Sequence, residues 1–309
     1  MSVSPQTPDT VLRRLEWTVL RRLDGLLHGS YRTLFRGQGL DLADLREYQL
    51  HDDVRHIDWN VTARLQEPYV RQFNEDRDVT AWFLLDTSPS VAFGSGATKL
   101  SVLAGFVTVL TRVLTRHGNP VGAIFYSDGV ELVIPPRTGR PHVLHMLDTL
   151  MNFKSRSKTS ATDLSEFLQS ATAILSRRSL VFLVSDFIST PGWGKPLSQL
   201  ARRHETIAVR LSDPAEQELP EIGLAVVQDA ETGEQMFIDT GDRGVRKRFA
   251  LAAERREQEL HTALTKAQVD CLELWTDDDL MDSLLRFAEL RKRRAFTSTN
   301  LPPHLEVVS

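Results

Sequence analysis

Asp86, Ser88 and Ser90 stand at alternate positions at the end of an apolar run, residues 79–86 (VTAWFLLD). A second apolar run, residues 179–186 (SLVFLVSD), also closes on an aspartate, Asp186. Between the two, Ser160, Ala161, Thr162 and Asp163 gather hydroxyl and carboxylate side chains just ahead of a helical pattern. Three loops therefore offer Asp86, Ser88, Ser90, Thr162 and Asp186, an all-oxygen set with few formal charges. Such ligands suit a hard divalent cation, Mg²⁺ first, with Mn²⁺ or Ca²⁺ as alternatives. No Cys or His cluster stands nearby to favour zinc or copper. Taken singly, Ser88, Ser90 and Thr162 also suit turns and helix caps. Their joint placement at strand ends is what points to an ion.

Other chemistries find less support. Gly94 to Lys99 (GSGATK) is glycine-rich after a strand but lacks the Gly-Lys-Ser/Thr ending of a phosphate loop. No serine sits in a Gly-x-Ser-x-Gly elbow. Asp86 could accept a phosphoryl group, but Ser88 stands where such phosphatases need a second aspartate. His51, Asp52, Asp53, His56 and Asp58 match no familiar metal spacing. No catalytic residue is assigned.

The elements that must position these residues can be read from periodicity. Leu12, Leu15, Val19, Leu23 and Leu26 recur at helical spacing, with Arg13, Arg14, Arg21 and Arg22 making that helix basic. Residues 29–78 mix both charge signs with aromatics and hold no helical period, which predicts irregular or β-rich chain with a strand near 69–73. From Val79 onward strands and helices alternate. Strands are expected at 79–86, 121–127, 130–136, 179–186 and 206–212, and a short last one at CLELWT, residues 271–276. Asp128 and Gly129 predict a hairpin between the second and third. Helices are expected near 99–116, 141–152, 163–177, 195–203, 243–266 and 278–293. A further hairpin is expected to turn at Thr232 and Gly233. Several strands are apolar on both faces, so the fold class is α/β with a doubly wound, mostly parallel sheet. In such sheets ligands bind outside the carboxyl ends of the strands, where strand order reverses.

The chain has 309 residues, a formal charge of −4 and one cysteine, Cys271. The charge argues against broad nucleic-acid binding, although Arg291 to Arg294 form a local basic cluster. A lone cysteine fits a reducing compartment, and no run reaches the ~18 apolar residues of a membrane span. With no secretory leader pattern at the start, the expected location is cytoplasmic. Membrane contact is expected to be at most peripheral, through the basic first helix.

Asp86-Thr87-Ser88-Pro89-Ser90, Thr162 and Asp186 resemble the metal-ion-dependent adhesion site of von Willebrand factor A domains. Upstream, Gly37-Gln38-Gly39, Asp44-Leu45-Arg46-Glu47-Tyr48, Asp52-Asp53-Val54-Arg55, Ile57-Asp58-Trp59 and Ala63-Arg64 resemble a bacterial signature. It belongs to the von Willebrand A-like family numbered fifty-eight among domains of unknown function, commonly encoded beside MoxR-type AAA+ ATPases. His51 and Ala161 stand where that family more often has glycine, and Pro89 lies inside the serine loop. The resemblance implies that Ser88 and Ser90 bind Mg²⁺ directly, Thr162 directly or through water, and Asp86 and Asp186 through waters. It also implies a carboxylate from a client protein completing the octahedron, and a MoxR-type AAA+ ATPase as partner in maturation or remodelling.

Two readings of residues 44–64 remain open: a partner surface, or an ion-pair network joining Arg46, Arg55 and Arg64 to Asp52, Asp53 and Asp58. The expected organisation is an N-terminal helix and signature extension (1–78), a von Willebrand A-like domain (79–276) and a helical tail (277–309). The leading function is a Mg²⁺-dependent protein-interaction module. The alternatives are a metal-dependent hydrolase in the same cleft and a peripheral membrane adaptor.

Overall fold

The structure, a computed structural model, describes residues 44–48, 59–72, 79–95, 97–153, 162–228 and 235–299. The expected first helix, most of the upstream ion-pair network, Ser160 and Ala161, the turn at Thr232 and Gly233, and the tail beyond 299 lie outside the described residues.

Strand β1 (Asp44–Glu47) pairs antiparallel with β2 (Tyr69–Gln72), and helix α1 (Trp59–Leu65) lies between them in sequence. That helix corrects the expectation of irregular or β-rich chain there. Seven residues make about two turns, too few for an apolar period to emerge from the sequence.

The remaining elements follow the alternation. They are β3 (Ala81–Asp86), α2 (Lys99–Arg116), β4 (Val121–Tyr126), β5 (Val130–Arg137), α3 (Arg140–Asn152) and α4 (Leu164–Ile174). Then come β6 (Leu180–Ser185), α5 (Gly194–Arg203), β7 (Glu205–Ser212), β8 (Leu224–Gln228), β9 (Gln235–Asp239), α6 (Arg243–Ala267), β10 (Asp270–Trp275) and α7 (Leu280–Thr299). Strands β8 and β9 pair as a separate antiparallel hairpin. The central sheet runs β10-β7-β6-β3-β4-β5, parallel except for β5, which pairs antiparallel with β4. Every residue of β3, β4 and β6 is buried, because helices cover both faces.

One face buries Phe83, Leu85, Phe182 and Val184 under Leu103 and Phe106 of α2, Met146 of α3 and Met281 of α7. The other buries Trp82, Leu84, Ile124 and Leu183 under Phe167 of α4, Leu197 of α5 and Leu260 of α6. This is the period-two alternation of buried strands, with a core on each side. Gly122 permits one close approach: a Cβ there would lie 2.9 Å from the Ile134 carbonyl oxygen and from the Trp82 ring. No helix among the described residues is long and apolar enough to cross a membrane.

From β3 the chain winds outward through β4 to β5, then returns to the other side of β3 and winds through β6 and β7 to β10. Strand order therefore reverses between β3 and β6, which pair directly. That is the crevice where doubly wound sheets bind ligands.

His204, at the end of α5, is buried with neither ring nitrogen hydrogen-bonded. Burial, then the charges of Arg203 and Arg178, push its pKa below the usual imidazole value. The unfolded chain therefore binds a proton that the folded state resists, and stability falls as pH drops below ~6.5. Burial likewise lowers His142. His204→Leu is expected to flatten part of this acid slope and to add about 1 kcal/mol by removing unpaired buried nitrogens. Urea unfolding at pH 5.5 and 7.5 measures it; an unchanged slope would contradict the assignment.

Candidate metal centre

Asp86 ends β3 and is fully buried. Its Oδ1 accepts the Ser88 amide at 3.0 Å, which folds the chain back into the serine loop. Its Oδ2 accepts the Ser185 hydroxyl of β6 at 2.6 Å, so the carboxylate is held across the β3–β6 junction. Thr87 fixes the same loop to β4, donating its amide (2.7 Å) and hydroxyl (2.8 Å) to the Tyr126 carbonyl. Pro89 then starts a short 3₁₀ turn, Pro89–Ala92, which carries Ser90 back towards Ser88. Their hydroxyl oxygens lie 3.0 Å apart, and both residues are buried. Adjacent ligands of an octahedral Mg²⁺ with 2.0–2.1 Å bonds are about 2.9 Å apart. The two hydroxyls thus fit neighbouring positions on one small cation.

Asp186 follows β6. Its Oδ1 accepts the Ile188 amide at 3.0 Å. The chain leaves it through Phe187, whose φ of +58° is left-handed for a non-glycine residue. Such backbone costs about 1 kcal/mol or more and collects at functional loops. Thr162 is buried and its loop is tied to the chain after Asp186: the Ser189 hydroxyl (2.8 Å) and Thr190 amide (3.2 Å) both donate to its carbonyl. Asp163 beside it caps α4 through the Ser165 and Glu166 amides. All five expected ligands therefore sit at the carboxyl ends of β3 and β6 or on a loop bonded to them.

Burial, reinforced by the charge of Asp186, pushes Asp86 up to about 6, against the opposing hydrogen bonds from Ser185 and Ser88. A nearby cation would relieve both causes. Among the described residues no three His, Cys, Asp or Glu side chains converge, so a metal here would depend on the hydroxyls. The donor set fits Mg²⁺, with serine, threonine and carboxylate oxygens and no soft ligand.

Four participants emerge only in the fold. Ser185, inside the apolar run 179–186, bonds Asp86. Lys99, the first residue of α2, is fully buried, and its ammonium lies 2.8 Å from Asp186 Oδ2 and 2.6 Å from Glu216 Oε1. Burial alone would lower its pKa, but the two carboxylates outweigh this and hold it above the ordinary lysine value. Glu216 ends the turn Pro214–Glu216, which Asp213 opens through a capping box. Asp213 in turn accepts the Ser95 amide (2.8 Å) and hydroxyl (3.1 Å) and the Thr276 hydroxyl (2.7 Å), which hold it below the usual carboxylate range despite burial. The glycine-rich loop before α2 is thereby tied to the ends of β7 and β10. Beside Asp186 a cavity of about 330 Å³ opens, lined by Phe187, Ile188, Arg210, Ser212 and Glu216 and closed by α6.

Fold and site together define a doubly wound α/β domain with a hydroxyl–carboxylate cluster at its switch point. The doubly wound sheet is the one that the von Willebrand A resemblance implies. The chain belongs to the family described as "Protein of unknown function DUF58", whose profile matches residues 44–259. Relatives include uncharacterized proteins of Mycobacterium bovis and Mycobacterium tuberculosis. Each is 35% identical over 285 residues, covering 92% of this chain and 90% of the relative. Among solved structures, the conserved hypothetical protein BatB from Bacteroides thetaiotaomicron aligns with a TM-score of 0.45 at 13% identity, covering 70% of this chain and 99% of that one. The SpRpn10 VWA domain aligns with a TM-score of 0.39 at 11% identity, covering 67% and 95%.

Proposed function

We propose that this protein is a cytoplasmic, Mg²⁺-dependent protein-interaction module, with Mn²⁺ or Ca²⁺ as substitutes. It would work with a MoxR-type AAA+ ATPase in the chaperone-like maturation or remodelling of client proteins. The observation that carries the metal reading is the pair of buried serine hydroxyls 3.0 Å apart beside a fully buried Asp86. Ser88, Ser90 and Thr162 would hold the ion, while Asp86 and Asp186 would orient its waters. Bound there, Mg²⁺ would supply an electrophilic centre for a client carboxylate.

In this reading Asp86 and Asp186 act as fixed positioning groups. Both oxygens of Asp86 already accept hydrogen bonds, as do both of Asp186. The ATPase partnership rests on the family resemblance of the upstream signature.

The test is capture of a purified MoxR-type AAA+ ATPase by the immobilised chain, with Mg²⁺ or with EDTA. Capture is expected only with Mg²⁺, and Asp86→Ala is expected to abolish it. Equal capture in EDTA would overturn the metal reading; no capture under either condition would overturn the partnership.

A further inference from the structure

We propose that the β8–β9 hairpin is the surface through which two copies of this chain associate, the apolar face of one hairpin packing on the same face of the other. No residue of the metal centre lies on this hairpin, so the two readings stand or fall separately.

Strands β8 (LAVVQ) and β9 (QMFID) pair with each other and with no other strand among the described residues. The register sets Val226 opposite Phe237 and Leu224 opposite Asp239, so Leu224, Val226 and Phe237 share one face. They are 74%, 53% and 73% exposed, and Met236 on the other face is 65% exposed. No described side chain of either strand is buried, and none belongs to the cores that cover the central sheet. The hairpin is held at its base instead. There the Thr240 hydroxyl accepts the Ile222 amide (3.0 Å) and donates to the Gly223 carbonyl (2.7 Å). Arg246 of α6 reaches the Thr240 carbonyl and pairs with Glu221 at 3.2 Å. A two-stranded ribbon with neither face covered is marginal in water, and a further strand or a packed layer is what stabilises it. Exposed apolar side chains gathered in this way mark a contact surface.

Charge selects the occupant. Strand β8 carries no ionisable side chain, and the single one on β9, Asp239, stands at its end and accepts the Gly241 amide at 2.9 Å. A two-fold contact sets a patch against its own copy, so a charge inside the patch would meet itself. This uncharged patch meets no such repulsion, whereas a charged partner would find no ion pair on it. A second copy also supplies the missing layer, since two apolar sheet faces stack about 10 Å apart. Neither strand carries the proline, lysine or register shift that guards an edge against association.

Sedimentation equilibrium of the full chain from about 1 to 100 µM, in EDTA so that metal-dependent contacts contribute nothing, tests this. Wild type is expected to reach the dimer mass at the upper end. Phe237→Glu and Leu224→Lys each set like charges against each other across the two-fold contact, and each should raise the dissociation constant at least tenfold. Both positions are exposed in the single chain, so the melting temperature of the dilute proteins should stay that of wild type. Leu290→Glu, at an exposed apolar position of α7, should leave the dimer intact. A dimer that both hairpin variants keep, or that Leu290→Glu also loses, would overturn the proposal. A wild type that stays monomeric throughout would overturn it too. If that monomer floated with phosphatidylglycerol vesicles and Phe237→Glu did not, the hairpin would be a lipid contact instead.

Discussion

At neutral pH and without metal, Asp86→Asn is expected to be more stable than wild type, and Mg²⁺ is expected to stabilise only the wild type. The first half follows from the buried carboxylate, whose pKa is raised to about 6 in the fold from 3.8. The folded state therefore holds a proton more tightly than the unfolded chain does. As pH rises from about 4 to 6 the wild type loses stability, by roughly 3 kcal/mol for a shift of about two units. Asparagine has no such proton to lose. The advantage of the variant should grow across that window and level off above it. Asparagine also keeps an oxygen for the Ser88 amide, while the Ser185 hydroxyl must turn to accept, which offsets part of the gain.

The second half is mass action. Mg²⁺ at a hundred times its dissociation constant adds about 2.7 kcal/mol to a protein that binds it only when folded. Wild type should gain this and Asp86→Asn should not. Scanning calorimetry of both proteins in EDTA and in Mg²⁺ separates the halves. A variant less stable than wild type in EDTA would show that Asp86 is held as a structural anion instead.

The other large effect lies in the core. Phe83 of β3 stacks on Phe182 of β6 with ring centroids 5.2 Å apart, and Phe106 of α2 meets both edge-on at 6.0 and 5.9 Å. All three are essentially inaccessible. Phe182→Ala is expected to cost about 3–5 kcal/mol, through lost burial and a cavity that two neighbouring strands cannot close. Against a typical margin of about 5–15 kcal/mol this is a large share. Urea unfolding should show a lower midpoint with an unchanged slope. A loss under 1 kcal/mol would mean that the ring cluster collapses around the gap.

The strands that carry the site were legible because each is an apolar run closed by a carboxylate. Helix α2 was legible from its stripe, and the structure starts and ends it where the periodicity does. Two later elements shift by a few residues: α4 stops at Ile174 and α7 continues to Thr299. Lys99 was not legible as a partner, since its carboxylates lie 87 and 117 residues further along the chain. A local signal did exist. A lysine at the first position of a helix stands against the dipole, and the Asp213-Pro214-Ala215-Glu216 run is a capping box in plain sequence. Neither signal says that the two meet. Ser185 was hidden differently: within a strand, only pairing with β3 reveals which neighbour a hydroxyl faces.

Strand β5 closes one margin of the central sheet, and residues 135 and 136 on it are both proline. Neither has an amide hydrogen to offer, and they fall where the pairing with β4 shifts register between Val121 and Ala123. At the opposite margin, Asp270 and Glu273 of β10 carry charge, with Arg291 of α7 binding Asp270 and Glu205. Proline, bulges and charge are the devices by which natural sheets refuse an extra strand. The central sheet is thereby guarded against edge-to-edge polymerisation, and an association through that sheet must be made at its loops and side chains rather than by adding a strand.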